Sequence, residues 1–130
     1  MIRTSPNNDF PQRLSKIYNG LSEVIEEWQP KMISIEEAIY AQNVRIAIKL
    51  GHARSAAILA ASNNGIDIFE YAPKKIKSSV TGNGRAKKEQ IRYMVKNILD
   101  LPKKPPSLDE SDALGAALCH LNQFKFSQRL

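Results

Sequence analysis

Cysteine is almost absent from this chain of 130 residues. Cys119 stands alone, which excludes an intrachain disulfide and suits a reducing cytoplasm. Histidine is nearly as scarce. His52 and His120, with that single thiol, cannot make a zinc site of the usual kind, and the adjacency of Cys119 and His120 is no metal-ligand spacing. No apolar run approaches the roughly 20 residues of a membrane span, and no signal-peptide pattern opens the chain. A soluble protein without a membrane partner is therefore expected. Internal repeats and low-complexity segments are missing too. Acid is absent from two long stretches. None lies between Glu37 and Asp67, where Arg45, Lys49, His52 and Arg54 occur. None lies between Lys74 and Lys88, a stretch holding Lys74, Lys75, Lys77, Arg85, Lys87 and Lys88.

What is present is ordinary in amount and uneven in placement. Hydrophobic residues make up 42% and charged residues 25%, as in a globular protein of one domain spanning residues 1–130. Lys and Arg (19) outnumber Asp and Glu (13), giving +6, a balance that favours a polyanionic partner and says nothing of fold.

Leu14, Ile17, Tyr18, Leu21, Val24, Ile25 and Trp28 recur at three and four, which predicts an amphipathic helix over about 11–28. Residues 31–36 read as a buried strand. A second helix, Val44 to Ala61, is rich in small residues. Its stripe of Ile46, Leu50, Ala53 and Ala57 fits either packing on its own sheet or a subunit interface. Residues 66–71 alternate as a second strand. Short helices follow from Pro73 to about Val80 and over about 86–100. Ser107 and Glu110 then form a capping-box pattern for a last helix over about 108–122, with 123–130 a flexible tail. The order αβαβααα argues an α/β sheet covered by helices.

Three carboxylates stand where a hard cation could use them. Glu36 ends the run Met32-Ile33-Ser34-Ile35, and strand ends in α/β sheets face ligand crevices. Asp109 and Asp112 share a helix face at i,i+3. Together they could hold Mg²⁺, which prefers oxygen ligands. The bland alternatives are a solvated acid at a strand end and acids that merely stabilise a helix N-terminus. In the basic stretch, Lys87 and Lys88 fall near a helix N-terminus, where positive charge is unfavourable, beside the turn Thr81-Gly82-Asn83-Gly84. That placement points to phosphate contact by Lys77, Arg85, Lys87 and Lys88; the alternative is a solvated run of charge.

The ordered set Ile2-Arg3-Thr4-Ser5-Pro6, Ile35-Glu36-Glu37, Ala41-Gln42-Asn43, Leu50-Gly51-His52-Ala53-Arg54 and Phe69-Glu70-Tyr71 continues through Val80-Thr81-Gly82-Asn83-Gly84-Arg85-Ala86-Lys87-Lys88. It closes with Asp109-Glu110-Ser111-Asp112-Ala113-Leu114 and Ala117-Leu118-Cys119-His120. This set resembles the RuvC family of crossover junction endodeoxyribonucleases, from Ile2 to His120. The resemblance implies an RNase H-like fold, a mixed sheet flanked by helices, acting as a homodimer on four-way junction DNA in recombination and repair, in association with a branch-migration helicase complex. It also implies Mg²⁺, two ions per subunit, with Mn²⁺ as a substitute.

Carried over by motif, Glu36, Asp109 and Asp112 match three of the family's four metal-binding positions, and Lys77 and Lys88 match basic positions for DNA binding and cleavage. Ile39 falls where the family usually places an aromatic that meets bases. Tyr40 lies next to it, and Tyr40 and Asn43 join the expected DNA contacts. The family's first strand, with Gly-Ile-Asp-Pro-Gly and the first metal-binding Asp, has no counterpart here. The resemblance therefore carries the expectation of a truncated sheet, unstable or inactive alone, and a rival expectation of a junction-binding module without catalysis.

Overall fold

The computed structural model describes residues 1–37, 43–102 and 104–127, with the side chains of the last two of these not described. The elements are α1 (Phe10–Trp28), β1 (Met32–Glu36), α2 (Val44–Asn63), β2 (Asp67–Tyr71), α3 (Pro73–Thr81), α4 (Lys88–Ile98) and α5 (Leu108–Ser127). Their order is the one the sequence predicts. Among the described residues the sheet has two strands, paired β1 to β2. Asp67 N–H donates to the Lys31 carbonyl at 3.3 Å, and further along both strands Glu37 N–H donates to the Tyr71 carbonyl at 2.9 Å. Both chains advance in the same direction, so the pair is parallel, and α2 supplies the long crossover that such a pair requires.

The chain forms two compact units. One comprises Met1–Ile33 and Ala38–Ile68; the other comprises Ser34–Glu37 and Phe69–Leu130. In the first, α1 starts with a reciprocal cap. Asp9 Oδ1 accepts from Gln12 N–H at 2.8 Å and Gln12 Oε1 accepts from Asp9 N–H at 3.3 Å. The helix ends where Gln29 turns left-handed (φ 47°). Its apolar stripe packs with α2 around Ile25, Ala60 and Ala61, supported by Tyr18, Leu21, Ile33, Ile66 and Ile68.

The stripe expected on α2 differs from the packed one. Ala56, Ala60 and Ala61 are buried, whereas Ile46 and Leu50 are 52% and 54% exposed and line an open groove with Phe10, Leu14 and Ile17 of α1. Small side chains allow the helix backbones to approach, and the bulkier residues are left at the margin.

In the second unit Ile76 and Val80 of α3, Ile91 and Val95 of α4, and Ala116, Leu118 and Cys119 of α5 form one apolar cluster, with Ala86 between them. Cys119 is fully buried and forms no disulfide. α5 continues to Ser127, past the expected end near 122, so most of the segment read as a tail is helical. No helix among the described residues is long and apolar enough to cross a membrane.

Candidate metal and phosphate site

The second unit holds a small cleft of about 150 Å³ lined by Glu36, Pro73, Ile76, Lys77, Lys88, Ile91 and Asp112. Each polar member comes from a different element. Glu36 is the last residue of β1, Lys77 lies on α3, Lys88 opens α4, and Asp112 stands in the second turn of α5. Ile76 and Ile91, both buried, give the cleft an apolar wall.

Pro73 begins α3 at a position where a missing N–H costs nothing. At the start of α4, Gln90 Oε1 accepts from the Lys87 N–H at 2.8 Å. A lysine side chain has no acceptor with which to return that bond, so the cap is one-sided and the cation is held there at some electrostatic cost.

The electrostatics are those of two acids sharing a space with cations. Burial pushes the Glu36 carboxyl above its ordinary value, and the charge of Asp112 adds to the rise; Lys88 and Lys77 oppose it. Lys88 Nζ donates to Asp112 Oδ2 at 3.0 Å. That bond, then the charges of Asp112, Asp109 and Glu36, raise the lysine above its ordinary value. One ammonium thus answers to three carboxylates. Such a field suits a further hard cation, and Glu36 and Asp112 are oxygen donors of the kind that Mg²⁺ takes.

The expected three-acid cluster is not closed: among the described residues no group of three His, Cys, Asp or Glu side chains lies close enough to hold a metal ion. Asp109 is exposed on the first turn and does not line the cleft, although Lys88 feels its charge. The fit is therefore that of a two-carboxylate site, with the remaining oxygens of a coordination shell to come from elsewhere.

The other expected contacts divide. Lys77 and Lys88 line the cleft. Arg85 and Lys87 are exposed on the adjoining turn, where Asn83 Oδ1 accepts from the Arg85 N–H at 2.9 Å and Thr81 Oγ1 from the Asn83 N–H at 3.1 Å. These bonds give the basic turn a fixed shape. Asn43 has a structural employment the sequence reading missed: it caps α2, its Oδ1 accepting from the N–H groups of Arg45 and Ile46. Ile39 and Tyr40 lie outside the described residues.

The sequence also gave no role to Ser34, Tyr71 and His120. Ser34 Oγ donates to the Ala116 carbonyl at 2.7 Å, and the Tyr71 hydroxyl lies 2.7 Å from His120 Nδ1. Burial raises the Tyr71 phenol above its ordinary value, so it stays protonated and able to donate. A hydroxyl in the middle of an apolar strand was the only signal for Ser34.

Comparison with known proteins agrees across nearly the whole chain. The family described as Crossover junction endodeoxyribonuclease RuvC matches residues 1–120. A RuvC crossover junction endodeoxyribonuclease from Ruminiclostridium cellulolyticum is 45% identical over 129 residues, covering 99% of this chain and 78% of the relative. That of Desulforamulus reducens is 44% identical over 119 residues, covering 92% and 73%. Thermus thermophilus RuvC superposes with a TM-score of 0.85 at 31% identity, covering 97% of this chain and 76% of that one. The same protein solved in complex with a Holliday junction substrate gives 0.89 at the same identity and coverage.

Proposed function

The chain belongs to the RuvC family of crossover junction endodeoxyribonucleases, and from that premise we propose that the cleft between Glu36 and Asp112 hydrolyses phosphodiesters of four-way DNA junctions with a divalent metal. The fold is RNase H-like. The observation that carries the reading is the assembly of two carboxylates and two lysines, from four elements, in one small cleft.

Glu36 and Asp112 would hold Mg²⁺, or Mn²⁺ in its place, and Asp109, whose charge reaches Lys88, would be a third oxygen donor. The bound metal would supply an activated water and Lewis-acid stabilisation of the phosphate. Lys88 then has two tasks. It offsets the repulsion between the carboxylates, and it presents an ammonium where a phosphate oxygen gains negative charge. Lys77, which also lines the cleft, balances the same charge. Arg85 and Lys87 on the fixed turn would hold flanking phosphates, and each such contact adds to the salt dependence of binding. Action as a homodimer, one subunit per strand, and cooperation with a branch-migration helicase belong to this reading as well.

The test is a labelled four-way junction incubated with the protein in Mg²⁺. Paired symmetric nicks that vanish in Glu36→Gln and Asp112→Asn support it. One observation favours a second reading, a junction-binding module that does not cut: the described acids do not close into a three-acid cluster. That reading predicts salt-sensitive junction binding with no nicks at any Mg²⁺ or Mn²⁺ concentration.

A further inference from the structure

Glu36 and Asp112 act together only if β1 and α5 are held in one register, and polar bonds give that register a direction that apolar contact lacks. The α5 face in the core consists of small or apolar groups, among them Gly115, Ala116, Leu118 and Cys119. Apolar burial has no direction of its own. Two polar bonds run from α5 to the strands among the described residues and supply direction: Ser34 Oγ to the Ala116 carbonyl, and the Tyr71 hydroxyl with His120 Nδ1, each 2.7 Å.

Their places on the helix form a series. Asp112, Ala116 and His120 are four residues apart, one turn each, along a single face. On β1, Ser34 and Glu36 are two apart and share a face. Two strand residues advance about 6.6 Å, and four helix residues about 6 Å. Pinning Ser34 to Ala116 therefore bears on where Glu36, one step toward the C-terminal end of β1, meets Asp112, one turn toward the N-terminus of α5, and both line the cleft. The second bond fixes the far end of the same helix face. The His120 ring also lies against Phe69, centroids 4.3 Å apart, so the ring cannot turn freely away from Tyr71. Tyr71 in turn accepts from the Glu37 N–H, the residue next to Glu36, through its carbonyl at 2.9 Å. The Tyr71–His120 pair is thus tied to the strand end that carries the carboxylate, and the Ser34 bond lies two residues before it.

We propose that Ser34 and the Tyr71–His120 pair are positioning residues that set the separation of Glu36 and Asp112. The proposal rests on the reading of those two acids as the metal site. Losses of bonds that orient metal ligands typically cost about 10- to 100-fold in metal affinity or activity.

The experiment measures Mn²⁺ affinity of the DNA-free full chain by paramagnetic resonance, beside kcat and KM on a four-way junction and the melting temperature. It compares Ser34→Ala, Ser34→Thr, Tyr71→Phe and a control, Asn122→Ala. Asn122 lies on α5 but bonds to Ser79 Oγ at 3.1 Å, away from the cleft.

The expected result is Mn²⁺ affinity and kcat each lowered about 10-fold in Ser34→Ala and Tyr71→Phe, with KM for the junction unchanged. Ser34→Thr, which keeps the hydroxyl, restores both, and Asn122→Ala loses neither. Wild-type Mn²⁺ affinity in Ser34→Ala and Tyr71→Phe, or an equal loss in Asn122→Ala, overturns the positioning role while leaving the metal site standing. A wild-type chain that binds no Mn²⁺ overturns the site itself, and the positioning role with it.

Discussion

Lys88 separates two effects that a single ion pair usually confounds. Its bond to Asp112 lies near the surface, with the two side chains 58% and 34% exposed, so screening limits its contribution to stability to at most about 1 kcal/mol. Its position beside the carboxylates and any phosphate brought to them is worth more. Lys88→Met is therefore expected to leave the melting temperature nearly unchanged while cutting junction cleavage by about 100-fold, the scale seen when one preorganised charge-stabilising donor is lost. A large fall in melting temperature, with cleavage lost only in proportion, would show the lysine to be structural.

Glu36 behaves in the opposite sense. Its raised pKa means that the folded state binds the proton more tightly than the unfolded state, so the ionised carboxylate works against folding. Stability in the absence of metal should fall as pH rises from the ordinary value of 4.5 through the raised one. Glu36→Gln in chelator should melt no lower than wild type at neutral pH and should lose that part of the pH dependence. These roles of Glu36 were partly legible: a carboxylate closing an apolar strand is visible in sequence. The difference between Asp109 and Asp112 was not. Spacing places both on one face, and only the depth at which α5 enters the cleft decides that Asp112 lines it and Asp109 does not.

The helix starts were the most readable elements, because caps are local. Ser107 and Glu110 form the reciprocal pair that their spacing predicts, Ser107 N–H to Glu110 Oε2 at 2.7 Å and Glu110 N–H to Ser107 Oγ at 3.2 Å. The cap sits two residues before Asp109, at the start of the first turn of α5, so it bears on how firmly Asp109 is presented. Ser107→Ala should cost about 1 kcal/mol by chemical denaturation.

The bond from the Ser107 backbone, then that from its side chain, holds the Glu110 carboxyl below its ordinary value. This contribution is fully present above the unfolded value of 4.5 and is lost as pH falls through the lower, folded value. Glu110→Gln, which still accepts the backbone bond, should keep the cap at neutral pH and remove that acid limb; an unchanged acid limb would show that Glu110 contributes nothing to it. The α2 stripe left packing and a subunit interface both open for the converse reason. Periodicity marks Ile46 and Leu50 as apolar but cannot say which of several apolar faces meets α1, and there the close approach of alanines decided it. Ser34, Tyr71 and His120 were illegible on the same ground, since their partners lie 82 and 49 residues away in the chain.

The two units differ in how well they are closed, and that difference sets what the whole molecule can do. The largest fully buried side chains, Val95, Cys119 and Ser111, all lie in the unit that carries the cleft. The other unit buries Ile25 and three alanines, and leaves Trp28 and Val44 more than 70% exposed, with Ile46, Ile48, Leu50 and Leu59 more than half exposed. So much open apolar surface on one unit marks a face that favours association, and it means that α1 and α2 bury few side chains fully against local opening. The site, by contrast, is assembled from elements that converge on a closed core.

Amide hydrogen exchange on the metal-free chain at low concentration should therefore be uneven. Amides of α1 and α2 are expected to exchange at least about 10-fold faster than those of α5 between Ser111 and Cys119, a difference of about 1.4 kcal/mol in opening free energy. Raising the protein concentration should slow exchange on α1 and α2 selectively if their open faces meet another copy, and leave α5 as it was. Equal protection throughout at low concentration would show that the two units open as one. The cleft would then owe its rigidity to the whole chain rather than to the core beneath it, and substitutions in α1 would loosen the spacing of Glu36 and Asp112 as readily as substitutions in α5.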